Sequence, residues 1–161
     1  MNPNPLEAER VADYPRPPAL VASGEHVRVE ALGQLLADTH RSLRVLVSDF
    51  MFDPASVERM LSVVAREAMS LYAVQVLAAD ELDPPWRGAF RLVDEDQRGH
   101  LEMVVGTPEV TRYRERLHAH QAALRTGCLR RGGAFAVVNA ADSARSSVMG
   151  ALVPSGILEL V

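Results

Sequence analysis

The chain has 161 residues, 48% of them hydrophobic and 24% charged, which excludes a disordered polymer and leaves room for one domain with a real core. Net charge is -4, the isoelectric point is about 5.7 and every basic residue is arginine, with no dense basic run; this argues against a nucleic-acid surface and removes lysine chemistry. The lone Cys128 excludes an internal disulfide and a thiolate zinc site, and no apolar run approaches the roughly 18 residues of a membrane span.

Residues 1–24 are proline-rich (Pro3, Pro5, Pro15, Pro17, Pro18) and close on Ser23-Gly24, which predicts an irregular arm preceding a domain over 25–161. The amino end lacks a signal-peptide pattern, so a soluble cytoplasmic protein is expected. Val29, Leu32, Leu35 and Leu36 recur at helical spacing and predict a helix over 25–39. A strand over 43–48 follows, and its apolar run ends abruptly at Ser48-Asp49. A helix is expected from Pro54 to Met69, with Asp53 as its cap and Val57, Met60, Leu61, Val64 and Ala68 as its buried face. Residues 71–77 are apolar at nearly every position, as in a strand covered on both faces.

The chain then changes character. Asp80 to Gly88 is a polar, proline-rich connection that carries Trp86. Strands over 89–94 and 100–105, joined by Glu95-Asp96-Gln97-Arg98-Gly99, predict an antiparallel hairpin, because no helix fits between them. Thr107-Pro108 is expected to cap a helix of about 23 residues with Val110, Tyr113, Leu117, Leu124 and Cys128 on its apolar side. Arg130-Arg131 suit its carboxyl end and Gly132-Gly133 stop it. A strand over 134–138, a short helix over 142–152 and an apolar tail from Gly156 to Val161 complete the chain. This order predicts an α/β fold. Parallel strands at 43–48, 71–77 and 134–138 form part of a doubly wound, Rossmann-like sheet, with helices on both faces and an inserted β-hairpin.

Several segments resemble, in the same order, one branch of the von Willebrand factor A-like domains. These are the bacterial proteins encoded beside MoxR-type ATPases, also called the domain of unknown function 58 family. The segments are Val45-Leu46-Val47-Ser48-Asp49-Phe50; Val76-Leu77 leading to Glu81-Leu82-Asp83-Pro84-Pro85, Gly88 and Arg91-Leu92-Val93-Asp94; and Tyr113-Arg114-Glu115-Arg116-Leu117. The likeness covers roughly residues 24 to 152. It implies that Asp49 stands where that family places the third loop of its metal-dependent adhesion site. The Asp-x-Ser-x-Ser loop that should precede it is missing from the sequence, and Ser23-Gly24-Glu25-His26, where the family's threonine would fall, contains none. The resemblance therefore implies the carboxyl-terminal half of the fold with a vestigial Asp49 and no metal. A first strand is then missing beside 43–48. The exposed edge is expected to be covered by the arm, the tail, a second copy or a partner chain.

Candidate site residues are Ser48, Asp49, Asp53, Asp80 and Asn139, which fall at the carboxyl ends of parallel strands, where open α/β sheets bind ligands. Structural roles compete: a helix cap for Asp53, loop formation for Asp80 and Asn139. Trp86 could anchor a partner or pack on the hairpin. His118 and His120, two apart on a helix, point about 200° apart and cannot share a metal. His26, His40 and His100 are isolated, and Cys128 falls on an apolar stripe. The arginines of the long helix, interleaved with Glu109 and Glu115, read as a solvated face. No phosphate-loop, dinucleotide, nucleophile-elbow or zinc-protease motif occurs. The expectation is a non-enzymatic protein-interaction module without a cofactor; the resemblance implies a MoxR-type AAA ATPase as partner, and the edge at 43–48 allows a homo-oligomer. The alternatives are a metal-assisted hydrolase using Asp49 with Asp53 or Asp80, or a remnant of a longer gene.

Overall fold

The computed structural model describes residues 41–93 and 100–160 together with Leu36, with backbone alone for 91–93 and 100–103. The arm over 1–24, the helix expected over 25–39, the turn over 94–99 and the side chains of His26, His40 and His100 lie outside the described residues. The elements are β1 (Ser42–Ser48), α1 (Pro54–Val64), β2 (Ala68–Leu77), α2 (Ala79–Leu82), β3 (Gly88–Val93), β4 (His100–Val105), α3 (Thr107–Leu129), β5 (Phe135–Asn139) and α4 (Ala144–Ser147). A π-helical turn, Val148–Leu152, continues α4. Strands β1, β2 and β5 form a parallel sheet in the order β1-β2-β5, and β3 and β4 form a separate antiparallel hairpin.

Local chemistry sets the boundaries. Helix α1 begins where the Asp53 carboxylate accepts the N–H groups of Ala55 and Ser56 at 3.1 and 3.0 Å, with Pro54 in its first turn. It ends at Val64, five residues before the expected Met69. The Arg44 guanidinium donates to the Val64 carbonyl, Glu67 turns the chain through a left-handed φ of 63°, and the Arg41 N–H donates to the Glu67 carbonyl at 2.9 Å. Ala68 then pairs with Ser42, so sheet pairing overrides the helical periodicity and β2 starts three residues early. Helix α3 has its expected length, but its cap is Gly106, whose N–H donates to the Glu109 carboxylate at 2.9 Å, rather than Thr107.

The strand order determines where the helices lie. Passing from β1 to β2 and from β2 to β5 steps across the sheet in the same direction, and right-handed crossovers then place both connecting helices on one face. Helices α1 and α3 accordingly pack against each other and against the same side of the sheet; the helix expected over 25–39 lies outside the described residues. The core is that single interface: Phe50, Val57, Met60, Leu61, Val64, Leu71, Ala73, Leu124, Cys128 and Phe135. Each fully buried apolar side chain of this kind contributes about 1.5–3 kcal/mol relative to exposure.

Strand alternation sends the other side chains away from the helices. The parallel register puts Leu43, Val45 and Val47 on the same face as Tyr72, Val74, Ala136 and Val138. This face is closed over its middle, where Val74 and Ala136 are buried. It is open over β1, where Leu43, Val45 and Val47 are 62%, 50% and 65% exposed. The apolar tail does not cover them. The N–H groups of Ile157 and Leu158 donate to the Leu152 carbonyl, which holds the tail to the π-helical turn packed on β5.

The α3 terminus approaches β2 closely. Gly132, at a left-handed φ of 69°, ends the helix, and Gly133 then passes so near β2 that a Cβ there would stand 1.8 Å from the Leu71 carbonyl oxygen. Backbone cannot yield as a flexible side chain does, so Gly133→Ala is expected to destabilise the fold by at least about 2–3 kcal/mol in urea melts. An unchanged midpoint would contradict this packing.

Candidate functional site

Four of the five predicted site residues lie at the carboxyl ends of the parallel strands, and the fifth, Asp53, lies on the loop that leads from β1 into α1. Ser48 ends β1, and Asp49 begins the turn that follows it. Asp80 sits in the first turn of α2, just beyond β2, and Asn139 pairs with Leu77 at the end of β5. The side chains of Ser48, Asp49, Asp53 and Asn139, however, serve their own loops. The Asp49 carboxylate accepts the Met51 N–H and the Ser48 hydroxyl, both at 3.2 Å, and Ser48 Oγ in turn accepts the Phe50 N–H at 3.1 Å. Asn139 Oδ1 accepts the Ala141 N–H at 2.9 Å, and Asp53 caps α1. These are side-chain-supported turns.

The turn after β1 is held from several sides. Phe50 adopts a left-handed φ of 54° with its side chain fully buried, a conformation that costs a bulky residue and persists only where its surroundings over-determine it. Three side chains supply that constraint. Gln75, fully buried in β2, donates to the Asp49 carbonyl at 2.7 Å, and Gln121 of α3 donates to Gln75 Oε1 at 3.1 Å. His120 Nε2 lies 2.8 Å from the Phe50 carbonyl, which can only accept, so the ring carries its proton on that nitrogen. His120 thus has a structural partner, whereas His118 is exposed on α3. None of these three residues was singled out for this role from sequence. The available signal was Gln75, a lone amide inside an otherwise apolar strand.

Among the described residues, the donor set around Asp49 does not fit a magnesium site. Magnesium requires octahedral oxygen ligation, and Asp49 is an exposed carboxylate already accepting two local hydrogen bonds. Among the described residues, no three His, Cys, Asp or Glu side chains stand together as a metal site would require. The Asp53 carboxyl is held below its usual range by the hydrogen bonds from Ser56 and Ala55. Cys128 is fully buried, and burial pushes its thiol up to about 11, so it is not a nucleophile at neutral pH.

The rest of the neighbourhood is braced by paired groups. The Tyr113 hydroxyl donates to the Glu81 carbonyl at 2.7 Å, and Arg114 pairs with Asp83; both tie α3 to the proline-rich connection. Trp86, on that connection, is 40% exposed. Arg131 bridges Glu58 at 2.7 Å and Ser62 at 2.8 Å and keeps the Glu58 carboxyl below its ordinary range. Several arginines read as a solvated face therefore have partners: Arg114, Arg131, and Arg125, which lies 5.9 Å from the Phe135 ring centroid.

Concave or open apolar surfaces remain among the described residues. A groove of about 540 Å³ runs between α1 and α3, lined by Met51, Phe52, Val57, Leu61, Leu117 and Ala123 with His120 and Arg116. The second surface is β1 itself, which pairs only with β2 among the described residues. The direction of its backbone groups follows from β2. The Ala73 N–H donates to Ala134 on the β5 side, and amides alternate sides along a strand, so Tyr72 and Val74 bond toward β1. They engage Arg44, Leu46 and Ser48. The N–H and C=O groups of Leu43, Val45 and Val47 therefore point outward from the sheet.

A scan against models of known protein families finds no match to this chain, and searches of curated proteins and of solved structures find none either. Among the described residues, no helix is long and apolar enough to cross a membrane.

Two measurements check this geometry. Gln75→Leu leaves the Asp49 carbonyl without its buried donor and is expected to cost about 1–3 kcal/mol of stability; an unaltered chemical melt would refute the bracing role. Asp53 has a depressed folded pKa, so its contribution is present above the unfolded value near 3.8 and is lost as pH falls through the folded value. The melting temperature of Asp53→Ala should therefore lie below that of the unmodified protein at pH 7, with the gap closing on acidification below about pH 4. A gap that widens in acid would reverse the sign.

Proposed function

We propose that this protein is a non-enzymatic interaction module that engages another protein through β1. The supporting observation is the run Leu43, Val45 and Val47. Their apolar side chains are half or more exposed, and their backbone donors and acceptors face outward on a strand that is an edge among the described residues. Natural edges are normally blunted by charge, proline or a covering element, and strand addition to such an edge is a recurrent recognition mode. The polar rim supports binding rather than catalysis, because Ser48, Asp49, Asp53 and Asn139 are engaged in turns and a cap, and Cys128 is buried and neutral.

The partner class comes from the family resemblance. Similarity of the Ser48-Asp49-Phe50 turn and the 76–94 connection to the MoxR-associated von Willebrand factor A-like proteins suggests a MoxR-type AAA ATPase, in a cytoplasmic setting. The test is binding of the purified chain to a MoxR-type ATPase from the same genome, followed by calorimetry. Val47→Lys, a change at an exposed position, should leave stability within about 0.5 kcal/mol and abolish the binding heat. Equal binding by the variant would remove β1 from the interface, and the absence of heat with the unmodified chain would remove the ATPase.

A further inference from the structure

We propose that β1 pairs with β1 of a second copy, antiparallel about Val45, to give a continuous sheet in the order β5-β2-β1-β1-β2-β5. This rests on the reading of β1 as an interaction surface and goes beyond it: a second copy and a partner protein would compete for the same edge. The first argument is hydrogen-bond phase. Antiparallel strands alternate between residue pairs that exchange both backbone hydrogen bonds and pairs that exchange none. With a two-fold axis at Val45, the facing pairs are Val45 with Val45, and Leu43 with Val47 on either side. These residues are the ones whose N–H and C=O groups point outward, so each pair exchanges two hydrogen bonds. A register displaced by one residue would bring outward groups opposite groups already bonded to β2.

The second argument is self-complementarity. The strand reads Ser42-Leu43-Arg44-Val45-Leu46-Val47-Ser48, which is close to a palindrome in polarity. Antiparallel pairing sets Ser42 against Ser48, Leu43 against Val47 and Val45 against itself, all matched in character. An isologous interface requires that kind of patch, in which the same surface serves both partners. No charge opposes a like charge. Arg44, the one charged residue of the strand, is buried on the helix face, where its guanidinium donates to the Val64 and Leu36 carbonyls. The axis is perpendicular to the sheet, so α1 and α3 of both copies share one face and the exposed apolar side chains of the two β1 strands form one strip on the other.

The test is sedimentation velocity of the full chain over a dilution series, with residue-resolved hydrogen exchange. The expected result is a reversible dimer in which the amides of Leu43, Val45 and Val47 are protected at high concentration and exchange on dilution. Those of Leu46 and Ser48, bonded to β2, should stay protected throughout. Val45→Lys and Val45→Glu each place like charges face to face and should raise the dissociation constant roughly 100-fold or more. Mixed together, the two should form a heterodimer, because only the residue on the axis opposes itself. A monomer at all concentrations overturns the proposal, as does a dimer whose Val45 amide exchanges freely. A monomer with those amides protected places a segment of the same chain on the edge and also overturns it. If the chain is monomeric while Val47→Lys still abolishes binding to the ATPase, only the second copy is excluded and the interaction reading stands.

Discussion

The structure depends on one buried amide. Gln75 sits in the central strand of a three-stranded sheet and donates to the Asp49 carbonyl, with Gln121 closing the other side of its amide. That contact, with His120 on the next carbonyl, holds the chain in the left-handed turn at Phe50. The turn is what lets Phe50 enter the core as β1 ends, while Met51 and Phe52 line the groove between the helices. A buried polar group of this kind is costly unless fully satisfied, and no buried side-chain nitrogen or oxygen among the described residues lacks a partner. The rim residues then need only local bonds to their own turns, because the turn itself is fixed from beneath.

The second constraint is topological. Two right-handed crossovers stepping the same way must load one face, and the core is correspondingly one-sided. A doubly wound sheet reverses direction at some strand and so obtains cover on its other face. The described strands contain no such reversal, and the far face is closed only where Val74 and Ala136 lie. Among the described residues, the openness of Leu43, Val45 and Val47 follows from this strand order.

Much of this could be read in the sequence, for identifiable reasons. The three parallel strands, the hairpin and α3 announce themselves through apolar runs of strand length and a long periodic segment, and the cap of α1 through Asp53-Pro54. The end of α1 was not legible. Val64 to Met69 continues the helical pattern, and what stops it is a guanidinium from β1 and a pairing partner at Ser42, both distant in sequence. Placing both helices on one face required the sheet order, which periodicity does not supply. Four of the five candidate polar residues stand at the strand ends and Asp53 on the loop into α1, yet location alone does not show whether a side chain faces a ligand or its own backbone. Asp49, Asp53 and Asn139 all do the latter.

Arg44 shows how far a charge in a sequence can differ from a charge on a surface. Read linearly, it is the one residue in β1 that would discourage edge-to-edge association. Folded, it is 6% exposed, and its head group lies among the carbonyls of Val64 and Leu36 and the hydroxyl of Ser42. Strand periodicity dictates this: an even position on β1 faces the helices, and only odd positions face the open side. The charge therefore serves to end α1 and attach it to the sheet. The outward positions are left with Leu43, Val45 and Val47, an edge with nothing to repel another strand. Amides that have no partner among the described residues, beside exposed apolar side chains, favour pairing twice over, through hydrogen bonds that water satisfies less well once the side chains are covered and through the apolar area that pairing removes from water.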